Sequence, residues 1–293
     1  MKTALLVINP SSGGEKAQSY KEQVINKLTS SFDDVIVKET QKAGDATQFT
    51  REAAQAGIHS VFVMGGDGTV NEGICGIAEQ EVRPYFGFFP LGTVNDLARA
   101  LAIPLDPQEA IDAFDVNRYR SLDIGKVNDT YFMNVIAIGT IPQAINDVDS
   151  EEKTKFGKFA YFMNGFKHLM EHQSYSFHLT LDGEQKEITS STLLIGLTNS
   201  IGGFEHLLPN ASVDDGLLHL IYTKDENMLD TLKALPNLVT GVTEGSQSLG
   251  YTTFKKGSIK LLDGQLQINI DGDEGDALPI DIQVLPSHIS IYY

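Results

Sequence analysis

The chain has 293 residues, and 22 lysines and arginines against 39 aspartates and glutamates leave a formal net charge of −17. With 41% hydrophobic and 21% charged residues the composition is ordinary and globular, which excludes wholesale disorder. So acidic a chain is also a poor partner for nucleic acid. A single cysteine, Cys75, rules out an intrachain disulfide and a Cys-based zinc cage, and no run of about 20 apolar residues is available to span a bilayer.

At roughly 150 residues per domain the length predicts two domains. The start Met1-Lys2-Thr3 runs straight into the strand-like Ala4–Ile8 without the pattern of a secretory signal, so a cytoplasmic protein is expected. Leu5-Leu6-Val7-Ile8 stops at Asn9-Pro10, as a buried strand does. Ala17, Tyr20, Val24 and Leu28, three or four apart, predict a helix, and Val35-Ile36-Val37 predicts the next strand. Asp45 with Gln48 reads as a capping box opening a second helix, which Gly57 stops. Ser60–Met64 and Tyr85–Phe89 are two more buried strands, each running into a glycine-containing turn and a helix. This βαβα rhythm, with strands apolar on both faces, predicts a parallel sheet covered by helices.

After about Ser121 the texture changes. Tyr131–Ile138, Ser176–Leu181, Thr192–Thr198, Leu217–Thr223 and Gln265–Ile270 read as strands, with turns such as Asp182-Gly183 between them. Leu266, Ile268 and Ile270 alternate with polar residues, the mark of a half-buried antiparallel strand. Helical stretches fall around Phe156–His172 and Glu226–Thr240. The expected division is an α/β domain over 1–122 and a β-rich domain over 123–293, with the last strand free to return to the first domain.

Three strand ends carry the chemistry. Gly65-Gly66-Asp67-Gly68-Thr69-Val70-Asn71-Glu72 follows the third strand, and Thr69 with Glu72 reads as a capping box. Glycines let a ligand approach the backbone, and a helix start offers N–H groups to phosphate. Asp67 opposes a phosphate unless Mg²⁺ lies between them. Asn9-Pro10-Ser11-Ser12-Gly13-Gly14 is a second loop of this kind. Leu91-Gly92-Thr93-Val94-Asn95-Asp96-Leu97-Ala98-Arg99 is the third, with Thr93 and Asp96 at the same cap spacing and Arg99 one turn into its helix. One glycine-rich turn is often only a turn; three at the carboxyl edge of one sheet mark a binding site. Neither Gly-x-x-x-x-Gly-Lys-Ser/Thr nor Gly-x-Gly-x-x-Gly after a strand is present.

Asn9–Gly13, Gly65–Thr69 and Pro90-Leu91-Gly92-Thr93-Val94-Asn95-Asp96 together resemble the diacylglycerol kinase catalytic family, which includes soluble bacterial lipid kinases, sphingosine kinases and ceramide kinases. Gly-Gly-Asp-Gly-Thr alone is shared with NAD kinases; the third block separates the lipid kinases. Val213–Leu218 and Ile270–Asp273 extend the resemblance over essentially the whole chain. It implies an N-terminal three-layer α/β nucleotide-binding domain of the NAD-kinase and phosphofructokinase type, a C-terminal β-sandwich-like domain, and ATP with Mg²⁺ in the cleft between them.

By resemblance, Asn9, Ser11, Ser12, Gly13, Thr40, Gly65, Gly66, Asp67, Gly68, Thr69, Asn71 and Thr93 hold the nucleotide. Asp67, Asp96 and Asp123 surround Mg²⁺, and Arg99 stabilises the transferring phosphoryl group. Asp215 is a structural metal ligand, helped by the carbonyls of Ser212 and Leu217. The general base is Asp273, where the family more often has Glu, which leaves Glu274 as the alternative. Gly14 stands where a basic residue often follows the first Ser-Gly, and Lys16 is the nearest cation. The implied activity is transfer of the γ-phosphate of ATP to a hydroxyl of diacylglycerol or a related lipid. The alternatives are a soluble-substrate kinase of NAD-kinase type and a catalytically impaired nucleotide-binding regulator. A lipid substrate implies peripheral contact with the inner face of the membrane, for which Lys153, Lys155, Lys158 and Lys167 among Phe156, Phe159, Tyr161, Phe162 and Phe166 are the candidate stretch. The same residues also fit a domain-packing helix, and a homodimer is compatible with either arrangement.

Overall fold

The computed structural model describes residues 2–14, 16–139, 174–203, 205, 207, 208, 210–224 and 249–293. The predicted helices over 156–172 and 226–240, and the lysine–aromatic stretch at 153–167, lie outside them. Two units are present: Met1–Ile124 with Ser287–Tyr293, and Gly125–Pro286.

In the first unit β1 (Thr3–Ile8), β2 (Asp34–Glu39), β3 (Ser60–Gly65) and β4 (Tyr85–Pro90) are parallel and ordered β2-β1-β3-β4. The helices are α1 (Lys16–Thr29), α2 (Asp45–Gln55), α3 (Asp67–Ile77), α4 (Asp96–Ala100) and α5 (Pro107–Ala113). Successive strand residues face opposite layers. Leu6, Ile8, Phe62 and Met64 pack with Val24 and Leu28 of α1 and Ile111 of α5. A Cβ on Gly73 of α3 would stand 2.7 Å from a methyl of Val63, so α3 lies on the opposite face. This is the three-layer arrangement that continuous apolar strands require. The chain end adds a further parallel strand: Ile291 pairs with Phe86, Tyr292 stacks on Phe62 at 5.4 Å, and the Tyr292 hydroxyl meets Ser60 Oγ at 2.9 Å.

In the second unit β5 (Tyr119–Val127) brings the chain in, followed by β6 (Thr130–Phe132), β7 (Val135–Gly139), β8 (Tyr175–Leu181), β9 (Glu184–Ser190) and β10 (Thr192–Gly196). Then come β11 (Leu218–Thr223), β12 (Leu249–Phe254), β13 (Lys256–Leu261), β14 (Gln267–Ile270), β15 (Asp273–Ala277) and β16 (Ile280–Tyr292), which leads back to the first unit. One layer runs β12-β11-β10-β7-β14-β15; the other places β13 between β16 and β8, with β9 outside β8. Ile136, Ile138, Leu193, Ile195, Leu220 and Ile268 of the first layer share one core with Phe177, Leu179, Ile259, Ile280 and Ile282 of the second. Apolar faces meet and polar faces look out, as in a sandwich. On the far side of the six-stranded layer, Ala137, Leu194 and Ile221 are covered by Ile201, Leu207, Leu208 and Ala211.

Several local expectations are corrected. Tyr131–Ile138 is not one strand: it breaks at Met133-Asn134, whose amides turn to the carboxylate of Asp271. The half-buried strand ending at Ile270 is buried on both sides near its end, because Asn269 is buried and accepts the amide of Gly272. None of the three capping boxes forms. Helix α2 starts after Gly44, α3 after Gly66 and α4 after Asn95, and none of these residues caps through its side chain. Asp45 reaches back to the amides of Gln41 and Lys42 at 2.8 and 3.0 Å, which holds its carboxyl below the usual range, chiefly through the Gln41 amide. The Gly57 stop does form: at φ +69° its amide donates to Ala54 O.

Candidate active site

The carboxyl ends of β1, β2, β3 and β4 deliver the glycine-containing loops to one edge of the first unit. Asn9, just past β1, is the first organiser. Its backbone N–H donates to Met64 O, its Oδ1 accepts from the Ser11 amide, and its Nδ2 donates to Thr69 Oγ1 at 3.0 Å. Gly13 and Gly14 follow at φ +64° and +66°, and a Cβ on Gly14 would meet nothing within 4 Å. This is open backbone of the kind a phosphate can approach. Thr40, at the end of β2, is tied to Ile8 O. Ser11 and Thr93 are exposed, while Ser12, Thr40, Gly68 and Asn71 are half-buried. Asn71 faces back along α3, where its Oδ1 accepts from the Cys75 thiol at 3.7 Å; Cys75 is itself only half-buried.

The β3 and β4 loops are fastened together. A Cβ on Gly66 would lie 3.2 Å from Gly92 Cα, so the two backbones touch where both lack side chains. A Cβ on Gly65 would lie 2.7 Å from Thr69 Cβ, which lets Thr69 fold back toward Asn9. Asp67, the first residue of α3, accepts the Asn95 amide at 2.8 Å on Oδ2 and the Asp96 amide at 3.0 Å on Oδ1. Asn95 in turn clasps Gly92, accepting its amide at 2.9 Å and donating to its carbonyl. Asn95 sits at φ +53°, a conformation in which asparagine is among the few side chains at home. Sequence reading passed over Asn95 as an organiser; an Asn three residues after a loop glycine was the available signal.

The remaining predicted residues of this unit are placed as follows. Arg99 turns back on its own loop, its Nε donating to Val94 O at 2.8 Å. Asp96 is buried beside Asp67, and Asp123 is buried with its Oδ1 accepting the Ser287 amide at 2.6 Å.

In the second unit, Asp271 and Gly272 are the two central residues of a tight hairpin between β14 and β15, at φ +49° and +94° with Ile270 opposite Asp273. Both central angles positive is the turn that suits the twist of paired strands, and Asp-Gly is its favoured sequence. Asp271 is buried, and its carboxylate accepts the amides of Met133, Asn134 and Val135 at 2.8, 3.0 and 2.8 Å. Asp273 and Glu274 are exposed beyond the turn. Asn134 Oδ1 beside this turn is buried without a hydrogen-bond partner among the described residues.

Asp215 closes its own turn: it accepts the amides of Ser212 and Leu217, both at 2.9 Å. His219, almost wholly buried, contacts Asp215 Oδ2 through Nε2 at 3.0 Å and the Tyr251 hydroxyl through Nδ1 at 2.8 Å. This His–Tyr support was missed in the sequence, where the histidines show no spacing pattern. Among the described residues no group of three or more His, Cys, Asp or Glu side chains forms a ready metal cage. No helix among them is long and apolar enough to cross a membrane.

The fold and these loops define a two-unit kinase with a glycine-lined α/β half and a β-sandwich half. The diacylglycerol kinase catalytic domain family matches residues 3–127, and the YegS C-terminal NAD kinase beta sandwich-like domain family matches residues 134–293. A protein of Streptococcus pneumoniae serotype 4, provisionally named a lipid kinase, is 38% identical over 100% of this chain and 98% of its own. The diacylglycerol kinase of Bacillus subtilis is 34% identical over 99% and 96%. A crystal structure from Bacillus anthracis, provisionally titled a diacylglycerol kinase, superposes with a TM-score of 0.89 at 27% identity, covering 100% of this chain and 95% of that one. The chain belongs to the diacylglycerol kinase-like lipid kinase family and is an enzyme, a kinase.

Proposed function

We propose that the protein transfers the γ-phosphate of ATP to a hydroxyl of diacylglycerol or a closely related lipid. The observation that carries the reading is the junction at the sheet edge, where Asn9 meets Thr69, Gly66 meets Gly92, and Asp67 holds Asn95 and Asp96. Asn9, Ser11, Ser12, Gly13, Thr40, Gly65, Gly66, Gly68, Thr69, Asn71 and Thr93 hold the nucleotide in this reading. The open backbone at Gly13-Gly14 fits its phosphates.

A divalent ion, taken as Mg²⁺, fits this edge as a guest of hard oxygen donors. Both oxygens of Asp67 accept backbone amides, and Asp67 with Asp96 would hold the ion alongside phosphate oxygens. When bound, the ion supplies charge neutralisation on the phosphates. Arg99, held by Val94 O at its Nε, is the cation assigned to the transferring phosphoryl group. The lipid hydroxyl attacks the γ-phosphorus, the bond to the bridging oxygen of ADP breaks, and Asp273 takes the hydroxyl proton. Asp273 suits the role better than Asp271 because it is exposed, whereas Asp271 is buried and its carboxylate accepts three amides. A structural metal on Asp215, with the carbonyls of Ser212 and Leu217, belongs to the same reading; it competes with His219 for Oδ2. The lipid brings the enzyme to the inner membrane surface as a peripheral visitor.

The test is a labelled-ATP assay over diacylglycerol, other hydroxyl lipids, NAD and sugar phosphates. Label in the lipid phase is expected. Transfer to NAD or a sugar phosphate alone overturns the lipid reading, and ATP binding without transfer to any acceptor leaves a regulator.

A further inference from the structure

The second unit carries an open cavity of about 470 Å³ that none of the chemistry above uses. Its volume is that of a small-molecule site, and its walls are the outward faces of β5, β16, β13 and β8. Strand register arranges these walls in two rows. Ser258 lies opposite both Asp281 and Thr180. Asn128 extends that row, because its backbone N–H donates to Asp281 O and its Oδ1 accepts the Asp281 amide at 3.0 Å. Two residues along, Lys256 lies opposite Gln283, and the antiparallel step from Asn128 brings Lys126 to the other side of Gln283. One row therefore reads Lys126, Gln283, Lys256 and the other Asn128, Asp281, Ser258, Thr180. Neighbours in a row are about 4.8 Å apart, and the rows are about 7 Å apart.

Lys126 and Lys256 share the cavity with Asp281, while Asp182, which accepts the Lys256 amide at 3.0 Å, and Asp276, which accepts from Asn128, lie at its border. The lysines flank a neutral amide with about 10 Å between their strands; Lys126 Nζ lies 5.5 Å from the Tyr131 ring centroid and would swing from it to close with Lys256 on one anion. Beside them stand hydroxyls of Ser258 and Thr180 and the carboxylate of Asp281, groups that bind alcohols. The Lys256, Ser258, Thr180 and Gln283 side chains have no hydrogen bond among the described residues, so ligand donors need not displace internal ones. Asn128, by contrast, is fixed at both ends, its Nδ2 donating to Asp276 at 2.8 Å.

We propose that this cavity binds a phosphorylated polyol of the glycerol phosphate class, with the phosphate over Lys126, Gln283 and Lys256 and the hydroxyls over Asp281, Ser258 and Thr180. The site is separate from the residues assigned to phosphoryl transfer and does not depend on that assignment. The same chemistry occurs as a free metabolite and as the headgroup of an anionic phospholipid, and the experiment separates the two. The full chain, its Lys126→Gln/Lys256→Gln double variant and its Ser258→Val variant are titrated with glycerol 3-phosphate, glycerol, and vesicles of phosphatidylglycerol or phosphatidylcholine. Binding of glycerol 3-phosphate that weakens tenfold or more in the double variant and threefold or more in Ser258→Val assigns a soluble ligand. Binding confined to phosphatidylglycerol vesicles, with the same losses, assigns the lipid headgroup. No binding to either, binding unchanged in the variants, or glycerol binding as tightly as its phosphate overturns the proposal. All three positions are on outward strand faces, and far-UV circular dichroism confirms that the variants fold.

Discussion

Two aspartates of the motif blocks, Asp67 in the first unit and Asp271 in the second, perform the same physical task in different settings. Each accepts backbone amides from a loop distant in sequence, Asp67 from Asn95 and Asp96 and Asp271 from Met133, Asn134 and Val135. Asp271 is buried under the hairpin it begins, whereas Asp67 is half-buried at an edge lined by glycines. A carboxylate spent on three amides inside the protein is a fastener. One that spends two bonds at a ligand-accessible edge can fasten and still face a bound ion.

The sharpest way to break the comparison is to remove the buried fastener. Asp271→Ala leaves three amides unpaired beneath the turn and is expected to cost about 3 kcal/mol or more, read as a lower denaturant midpoint, with ATP still bound by the folded fraction. Asp67→Ala exposes two amides to partial solvent and is expected to cost about 2 kcal/mol, but to weaken ATP binding as well. Equal stability losses with equal ATP affinity would erase the distinction. Gly65→Ala drives a Cβ into Thr69. It is expected to cost about 1–2 kcal/mol and to weaken ATP binding through loss of the Asn9–Thr69 bond, seen in nucleotide titrations.

The smallest effect concerns Asp45, the third fastener. Its folded pKa lies below the ordinary carboxylate value because the amides of Gln41 and Lys42 favour the charged form. Its stabilisation is therefore complete above the unfolded value of about 3.9 and is lost as pH falls through the lower folded value. Asp45→Asn should flatten the acid limb of a stability–pH curve by lowering stability in the neutral region, with little change at low pH, where Asp45 is already protonated.

How much of this was legible follows from where the information lies. The strands β1, β3 and β4 are apolar runs because both faces are buried, so the parallel sheet could be read from single-letter patterns. Strand β15, Asp273–Ala277, has no buried residue and pairs with β14, so no hydrophobic pattern could mark it. Strand β9 is similarly exposed over its first four residues, Glu184, Gln185, Lys186 and Glu187. The break at Met133-Asn134 depends on a carboxylate 138 and 137 residues away, beyond any local rule. The capping boxes failed for a related reason: glycine turns and the loop partners of Asp45 and Asp67 set the helix starts, overriding side-chain spacing. The glycine blocks of the candidate site were visible in the sequence. That Asn95 joins two of them, and that Asp215 leans on His219 and Tyr251, required the coordinates.

The central claim is that Asp271 holds while Asp273 reacts. The most direct measurement is phosphoryl transfer from labelled ATP to diacylglycerol by Asp273→Asn, with ATP affinity measured on the same sample. Loss of a proton acceptor in the transition state predicts a fall in turnover of about 10²–10⁴-fold with ATP affinity and stability unchanged. Turnover retained within a few-fold of the parent would contradict the account and move the base to Glu274 or elsewhere.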